Sequence, residues 1–303
     1  MPWLQLKIET HRPHVPALEE LLESLGAAAI VLQDAGNQPL LEPPPGATPL
    51  WDHLWLQGIF TVDSDAESLL EFLDQHYAKL IIQRQIELLE DKDWERAWMD
   101  HYHPMRFGHR LWVVPSWTPP PQPEAVNLLL DPGLAFGTGT HATTALCLEW
   151  LDSLDLRHKT VMDYGCGSGI LAIAALLLGA DTAYAVDNDP QALTATLDNA
   201  QRNQVDERLR VLAPAEIPVD FLATVDVVVA NILARPLIAL APRLLACLRP
   251  GGAIALSGLI GSQCEEVQAT YAPYVDFSAV AVRDEDWCRL NGTRNNRTLA
   301  THC

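Results

Sequence analysis

Along the first 92 residues, the spacing of apolar positions changes from one stretch to the next, and each change marks the boundary of a predicted strand or helix. Apolar residues recur at every second position in four stretches and at helical spacing in two. The predicted strands are Trp3–Ile8, Ala28–Leu32, Trp55–Val62 and Arg84–Leu89, and the predicted helices are Pro16–Leu25 and Ala66–Tyr77. This β-α-β-β-α-β order predicts an N-terminal α+β ferredoxin-like domain over residues 1–92.

The pattern differs in the rest of the chain. Residues 93–127 are rich in Trp, His and Pro and show no clean period, which predicts a connector. From Thr140 onwards, strands and helices alternate. The predicted helices are 143–154, 169–178, 190–203 and 235–248, and the predicted strands are 161–164, 182–186, 208–212, 225–230 and 252–257. Residues 128–303 are therefore predicted to form an α/β domain with a Rossmann-like doubly wound sheet, whose ligand crevice lies at the carboxyl ends of its strands.

Length and cysteine usage narrow the class of protein. With 303 residues the chain can bury a large core without disulfides, and its six cysteines include no C-x-x-C pair. No uninterrupted apolar run reaches the length of a membrane span. A cytoplasmic protein without membrane contact is expected.

The net charge of −19 is concentrated at the N-terminal end. Residues 1–100 carry 6 Lys or Arg and 18 Asp or Glu. Such a surface repels phosphate backbones, so no direct binding of nucleic acid is expected. It attracts a basic protein, although an acidic surface also serves solubility alone.

A strand that breaks into three glycines carries the main chemical signal of the second half. The run Val161–Leu171 places Gly165, Gly167 and Gly169 between an apolar strand and an apolar helix. Asp187 follows Gly165 by 22 positions, at the end of the next apolar stretch. This order predicts a nucleoside site, with the carboxylate placed to accept hydrogen bonds from ribose hydroxyls.

Two cofactor classes are compatible with this turn. A third interpretation is an ordinary tight turn with a surface aspartate and no cofactor. The dinucleotide fingerprint needs Gly or Ala where this chain has Ile170, which disfavours NAD and FAD. Asp163, two residues before the first glycine, matches the E/D-x-G-x-G-x-G pattern of methyltransferases that use S-adenosylmethionine (SAM).

The segment before the turn identifies a family. Residues 130–148 resemble the signature of the PrmA family, the methyltransferases of large-subunit ribosomal protein eleven. The blocks 93–100, 103–108, 230–234 and 256–258 are also similar to that family, and one departure is Ala142, where the family usually carries Pro. The resemblance implies a SAM-dependent enzyme that methylates lysine side chains and the N-terminal α-amine of a basic ribosomal protein. It also implies that residues 1–92 recognise the substrate; a monomer is expected.

The resemblance also implies roles for particular residues. Gly165 and Gly167 approach the methionine part of SAM, Asp187 binds the ribose, and Thr144 contacts SAM directly. The remaining expected site residues are Asn231 for both acceptor and cofactor, Phe136 and Thr138 near the transfer site, and Glu216 at the adenine amino group.

The sequence leaves the roles of several residues open. Asn231 lacks the Pro-Pro-Tyr sequence that follows it in many amide and adenine methyltransferases, and it can also serve as a helix cap. His141 is a candidate base or a structural residue, and Thr140 or Thr143 is the expected cap of the helix that follows. His101, His103 and His109 lack a carboxylate or thiolate at ligand spacing, so structural roles are expected for them.

Two rival functions are compatible with the same residues. One is a methyltransferase that acts on another protein or on a small molecule, and the other is a non-catalytic SAM-binding factor in ribosome assembly. Asn231 and the 136–144 loop favour an enzyme, and a large acidic N-terminal domain favours a macromolecular substrate.

Overall fold

The computed structural model describes residues 2–38, 40, 43, 46–89, 102–133, 137–218, 221–284 and 286–299. It divides the chain into two compact units, Met1–Met99 and Asp100–Cys303. The family block at 93–100, His101 and Phe136 lie outside the described residues.

The first unit contains one antiparallel sheet and two helices. Its elements are β1 (Trp3–His11), α1 (Val15–Ser24), β2 (Ala29–Asp34), β3 (His53–Thr61), α2 (Ala66–His76) and β4 (Gln83–Leu89). The sheet order β2-β3-β1-β4, antiparallel throughout, is that of a ferredoxin-like fold and confirms the predicted class. Alternate residues of β1, among them Leu6 and Ile8, are fully buried and pack with Leu18 and Leu22 of α1.

The second unit begins with a small sheet that the sequence pattern did not reveal. It consists of β5 (Met105–Phe107), β6 (Leu111–Val114) and β7 (Val126–Leu129), in that order. Strands of three or four residues are too short to show a period of two, which is why this region was predicted as a connector.

The body of the second unit is a larger, eight-stranded sheet together with the helices that connect its strands. Its elements are α3 (Ala142–Ser153), β8 (Thr160–Tyr164), α4 (Ile170–Leu177), β9 (Thr182–Val186), α5 (Pro190–Arg202), β10 (Leu209–Leu212), β11 (Val225–Asn231), α6 (Ala234–Cys247), β12 (Leu248–Ile260), α7 (Gly261–Tyr271), β13 (Val275–Phe277), β14 (Ala281–Arg283) and β15 (Trp287–Arg294).

The strand order of this sheet positions the site. The order is β10-β9-β8-β11-β12-β15-β13, with β14 beside β15. The five strands from β10 to β12 are parallel, whereas β15 runs antiparallel to β12. The chain order reverses between β8 and β11, and ligands bind beside such a switch point in open α/β sheets. This mixed sheet confirms the predicted Rossmann-like class.

The strands after residue 260 were not predicted. β13 and β14 are three residues long, and β15 buries Gly292 and Arg294 alongside Cys288 and Leu290. A buried arginine and a glycine interrupt the apolar alternation that would identify a strand. In the described part of the chain, no helix combines the length and the apolar character needed to cross a membrane.

Candidate functional site

The glycine-rich turn leaves β8 in a conformation that requires glycine. Gly165, Gly167 and Gly169 have φ angles of 81°, 53° and 79°, all in the left-handed region. A Cβ atom on Gly165 would lie 2.2 Å from Cγ2 of Ile232, which follows β11. The glycine therefore lets the ends of β8 and β11 approach within van der Waals contact.

Asp187 joins the ends of three neighbouring strands. Its Oδ2 accepts a 2.9 Å hydrogen bond from the backbone N–H of Gly167, and its Oδ1 accepts one of 3.0 Å from Asp189. Its own N–H donates to the carbonyl of Leu212 at the end of β10, at 3.3 Å. The carboxylate is thus oriented by the turn on one side and by the start of α5 on the other.

Asp163 lies behind the turn and is fully buried. Its Oδ2 accepts a 3.0 Å hydrogen bond from the N–H of Ala172 in the first turn of α4, and its Oδ1 has no partner among the described residues. Burial raises the pKa of Asp163 to about 7, the hydrogen bond from Ala172 opposes this, and the charge of Asp187 adds to it. Asp163 therefore stabilises the glycine-rich turn by joining the end of β8 to the first turn of α4.

Asn231 ends β11 beside the turn and is tied to α3. Its Nδ2 donates to Oγ1 of Thr144 at 3.2 Å, whereas its buried Oδ1 has no partner among the described residues. Thr144 is itself fully buried. A buried carbonyl oxygen without a partner is costly, and this one retains its capacity to accept a hydrogen bond.

These elements enclose a cavity of about 690 Å³, within the range of small-molecule sites. Its lining residues come from the start of α3, from the carboxyl ends of the central strands and the turns that follow them, from α6 and from β15: His141, Thr143, Tyr164, Gly165, Asp187, Asn188, Pro214, Asn231, Ile232, Leu233, Pro236, Leu240, Arg243, Gly258 and Trp287. Three residues expected in the site, Gly165, Asp187 and Asn231, are brought together in it.

Other expected site residues do not line this cavity. Gly167 contributes through its hydrogen bond to Asp187, and Thr144 through its hydrogen bond to Asn231. Thr138 lines a second, smaller cavity of about 210 Å³, where its hydroxyl lies 2.8 Å from that of Thr140. The expected role of Phe136 falls outside the described residues.

Glu216 holds its own turn. Its Oε2 accepts a 2.7 Å hydrogen bond from the N–H of Ala213, and it does not line the cavity. The neighbouring Pro214 does line it. The carboxylate of Glu216 is engaged in this capping interaction. Glu216 therefore stabilises the turn after β10, which places Pro214 in the cavity wall.

His141 caps α3, a role that was expected of Thr140 or Thr143. Its Nδ1 accepts a 3.3 Å hydrogen bond from the N–H of Thr143 and lies 2.7 Å from Oγ1 of the same residue. Its ring packs edge-on against Trp287, with centroids 4.6 Å apart. The cap engages the lone pair that a base at Nδ1 would use.

Sequence reasoning missed several residues of the cavity. Trp287 lies on a strand that was not predicted, more than 50 residues after Asn231. Gly258 has a φ of 86°, and a Cβ there would lie 2.3 Å from the carbonyl oxygen of Ile232. Arg243 was detectable from its helical spacing to Pro236 and Leu240, which lie on the same face of α6.

Among the residues that the structure describes, no group of three or more His, Cys, Asp or Glu side chains is arranged to hold a metal ion.

Comparison with known proteins decides the family. The family model described as ribosomal protein L11 methyltransferase (PrmA) matches residues 2–295. The chain belongs to the PrmA family. This confirms the resemblance inferred from the sequence.

Relatives in the PrmA family match along almost the whole chain. The ribosomal protein L11 methyltransferase of Marinobacter nauticus is 52% identical over 301 residues, which cover 98% of this chain and all of the relative. That of Sodalis glossinidius is 53% identical over 295 residues, covering 97% and 100%. The crystal structure of the ribosomal protein L11 methylase of Lactobacillus delbrueckii subsp. bulgaricus is 31% identical, with a TM-score of 0.58, over 64% of this chain and all of that chain.

As a PrmA methyltransferase the chain uses SAM, and the cavity fits that cofactor. Asp187 places a carboxylate, a hydrogen-bond acceptor of the kind that ribose hydroxyls require, in the cavity wall, and Gly165 lines the same wall. Asn231 lines the same cavity, and its Oδ1 has no partner among the described residues. Acceptors for hydroxyl and amine N–H groups are thus present within one apolar-walled space.

Proposed function

We propose that the chain transfers methyl groups from SAM to amines of ribosomal protein L11, at lysine side chains and at the N-terminal α-amine. The names of the relatives support the substrate. The observation that carries the activity is the position of Asn231, which lines the same cavity as Gly165 and Asp187 and whose carbonyl oxygen has no partner among the described residues.

SAM supplies an already activated methyl group, so the protein has mainly to position the acceptor and the donor. Asp187 and the Gly165 turn hold the donor. Oδ1 of Asn231 accepts an N–H from the acceptor amine and so orients its lone pair towards the cavity. Thr144 holds the Asn231 amide from the other side through its hydroxyl.

The acceptor amine must be neutral. A free lysine with a pKa of about 10.4 is neutral in roughly one molecule in a few thousand at pH 7, whereas an α-amine with a pKa of about 7.8 is neutral in about one in seven. The apolar side chains of Ile232, Leu233 and Trp287 line the cavity, and desolvation against them lowers the pKa of a lysine ammonium. Water takes the proton before the amine docks.

We infer that the first unit recognises the substrate and that the partner is a basic protein, not a nucleic acid. The excess of Asp and Glu in residues 1–100 supports this inference, because opposite charge accelerates encounter. The enzyme acts as a monomer in the cytoplasm, where its ribosomal substrate is made.

The test is methyl transfer to purified L11, followed by intact-mass analysis. Wild type is expected to add methyl groups that the Asn231→Ala variant adds much more slowly. Binding of SAM without transfer to L11 would favour the non-catalytic alternative. Transfer only to other proteins or small molecules would favour the other rival.

A salt titration of the full-length chain tests recognition. Raising ionic strength from about 0.05 to 0.5 M shortens the screening length from about 14 to 4 Å. The KM for L11 is expected to rise steeply, while the Kd for SAM changes little. Equal salt dependence of the two would contradict charge-based recognition.

A further inference from the structure

One face of α6 runs along the cavity. Leu233, which precedes the helix, and Pro236, Leu240 and Arg243 within it all line the cavity. They follow one another by three, four and three residues, which places them on one face of a helix. At 1.5 Å per residue, this face is about 15 Å long.

The two ends of this face meet different parts of the site. Leu233 lies two residues after Asn231, at the end where the acceptor amine enters. At the other end, Nη2 of Arg243 donates a hydrogen bond to the carbonyl oxygen of Pro214. Pro214 lies two residues after Leu212, whose carbonyl accepts the N–H of Asp187. Arg243 is therefore at the nucleoside end of the cavity.

Arg243 is also chemically distinct among the lining residues. It is the one Lys or Arg among the residues of the cavity wall, and it is half-buried. Within the part of the chain that the structure describes, it forms no ion pair with a carboxylate. Burial raises the pKa of the Tyr164 phenol, and the positive charge of Arg243, which lines the same cavity, opposes that shift.

We propose that Arg243 binds the adenine base of SAM and holds the Pro214 turn in place beside it. A guanidinium is planar and weakly hydrated, and it packs well on a flat aromatic ring. The turn it holds is fixed at its start as well, by the 2.7 Å hydrogen bond from Ala213 to Glu216. The inference rests on the proposed use of SAM.

Charge supports placing adenine at this end. SAM carries a positive sulfonium, which a guanidinium repels, so the sulfonium belongs at the opposite end, near Gly165 and Asn231. Arg243 then contacts the part of the cofactor that SAM shares with S-adenosylhomocysteine, the neutral product. Removal of the Arg243 side chain is expected to weaken the binding of both ligands by the same factor.

The experiment is isothermal titration of SAM and S-adenosylhomocysteine into wild type, Arg243→Met, Arg243→Lys and the control Arg235→Met. Arg235 is an exposed residue of the same helix that does not line the cavity. Arg243→Met is expected to weaken both ligands by about 10-fold, and Arg243→Lys by less. The control is expected to bind as wild type does.

The outcomes separate this inference from the proposed function. Wild-type affinity in a folded Arg243→Met protein overturns the assignment. A loss of affinity for SAM alone, or an equal loss of affinity in Arg235→Met, also overturns it. Failure of wild type to bind either ligand overturns the use of SAM itself.

A measurement on wild type covers the case in which Arg243→Met does not fold. The Nε–H resonance of Arg243, assigned by its disappearance in Arg243→Lys, is expected to shift when adenosine is added. An unshifted resonance under saturating adenosine would overturn the proposal.

Discussion

Oδ2 of Asp187 and the backbone N–H of Gly167 form a 2.9 Å hydrogen bond that joins the end of β9 to the turn after β8. One carboxylate therefore orients the glycine-rich turn and also lines the cavity. We expect the loss of this side chain to affect both the shape of the turn and the binding of SAM.

The first prediction follows from this double role. Asp187→Ala is expected to weaken SAM binding about 10- to 1000-fold, because each hydrogen bond to a charged group contributes about 1.5–3 kcal/mol. Calorimetry measures it, with Asp181→Ala as a control, because Asp181 is an exposed carboxylate outside the cavity. Unchanged affinity in a folded Asp187→Ala protein would remove this residue from the cofactor site.

The second prediction separates transfer from cofactor binding at Asn231. Its Oδ1 is unpartnered and its Nδ2 contacts Thr144, so Asn231→Ala is expected to lower kcat about 10- to 100-fold. The Kd for SAM is expected to change by a smaller factor. Steady-state rates and direct titration of the same preparation test this. Losses of equal size would restrict Asn231 to binding the cofactor.

The third prediction concerns the contact between Gly165 and Ile232. Gly165→Ala is expected to destabilise the second unit by at least about 2 kcal/mol, since it adds left-handed strain and a clash with Cγ2 of Ile232. Adding Ile232→Ala relieves the clash and leaves the strain. Urea denaturation of both single variants and the double variant measures the coupling.

Gly133 offers a matched control for this prediction. A Cβ there meets nothing within 4 Å, and its φ is not in the left-handed region. Gly133→Ala is expected to change stability by no more than about 0.5 kcal/mol. Strictly additive effects of Gly165→Ala and Ile232→Ala would show that the clash is absent.

The fourth prediction concerns pH and Asp163. Its folded-state pKa of about 7 lies above the ordinary 3.8, so the folded state binds the proton more tightly than the unfolded state. This contribution to stability is fully present below about pH 4 and is lost as pH rises to about 7, at no more than about 1.4 kcal/mol per pH unit.

Asp163→Asn tests this sign directly. The amide keeps an oxygen to accept the N–H of Ala172 and does not ionise. The Tm of the variant relative to wild type is expected to rise between pH 4 and 7. Parallel Tm curves over that range would contradict the buried, protonated carboxyl.

Local patterns predicted the alternating helices and strands from α3 to β12 well. The glycine spacing and the apolar runs beside it are properties of adjacent residues, so the turn at Gly165 and the position of Asp187 at the end of β9 follow from the sequence. The short strands β5–β7, β13 and β14 were missed, because a few residues show no period.

The partners of the site residues came from the tertiary structure alone. Asn231 meets Thr144, 87 positions away, because β11 lies against β12 and α3 packs on both strands. Trp287 reaches the cavity because β15 pairs antiparallel with β12.

The choice among competing hydrogen bonds was likewise decided by packing. Glu216 caps its own turn, and His141, not a neighbouring threonine, caps α3. Sequence determined which groups are available near the site, since that depends on residue type and local spacing. Only the folded chain decided which atoms they contact, because those contacts depend on the register of strands and the packing of helices far apart in sequence.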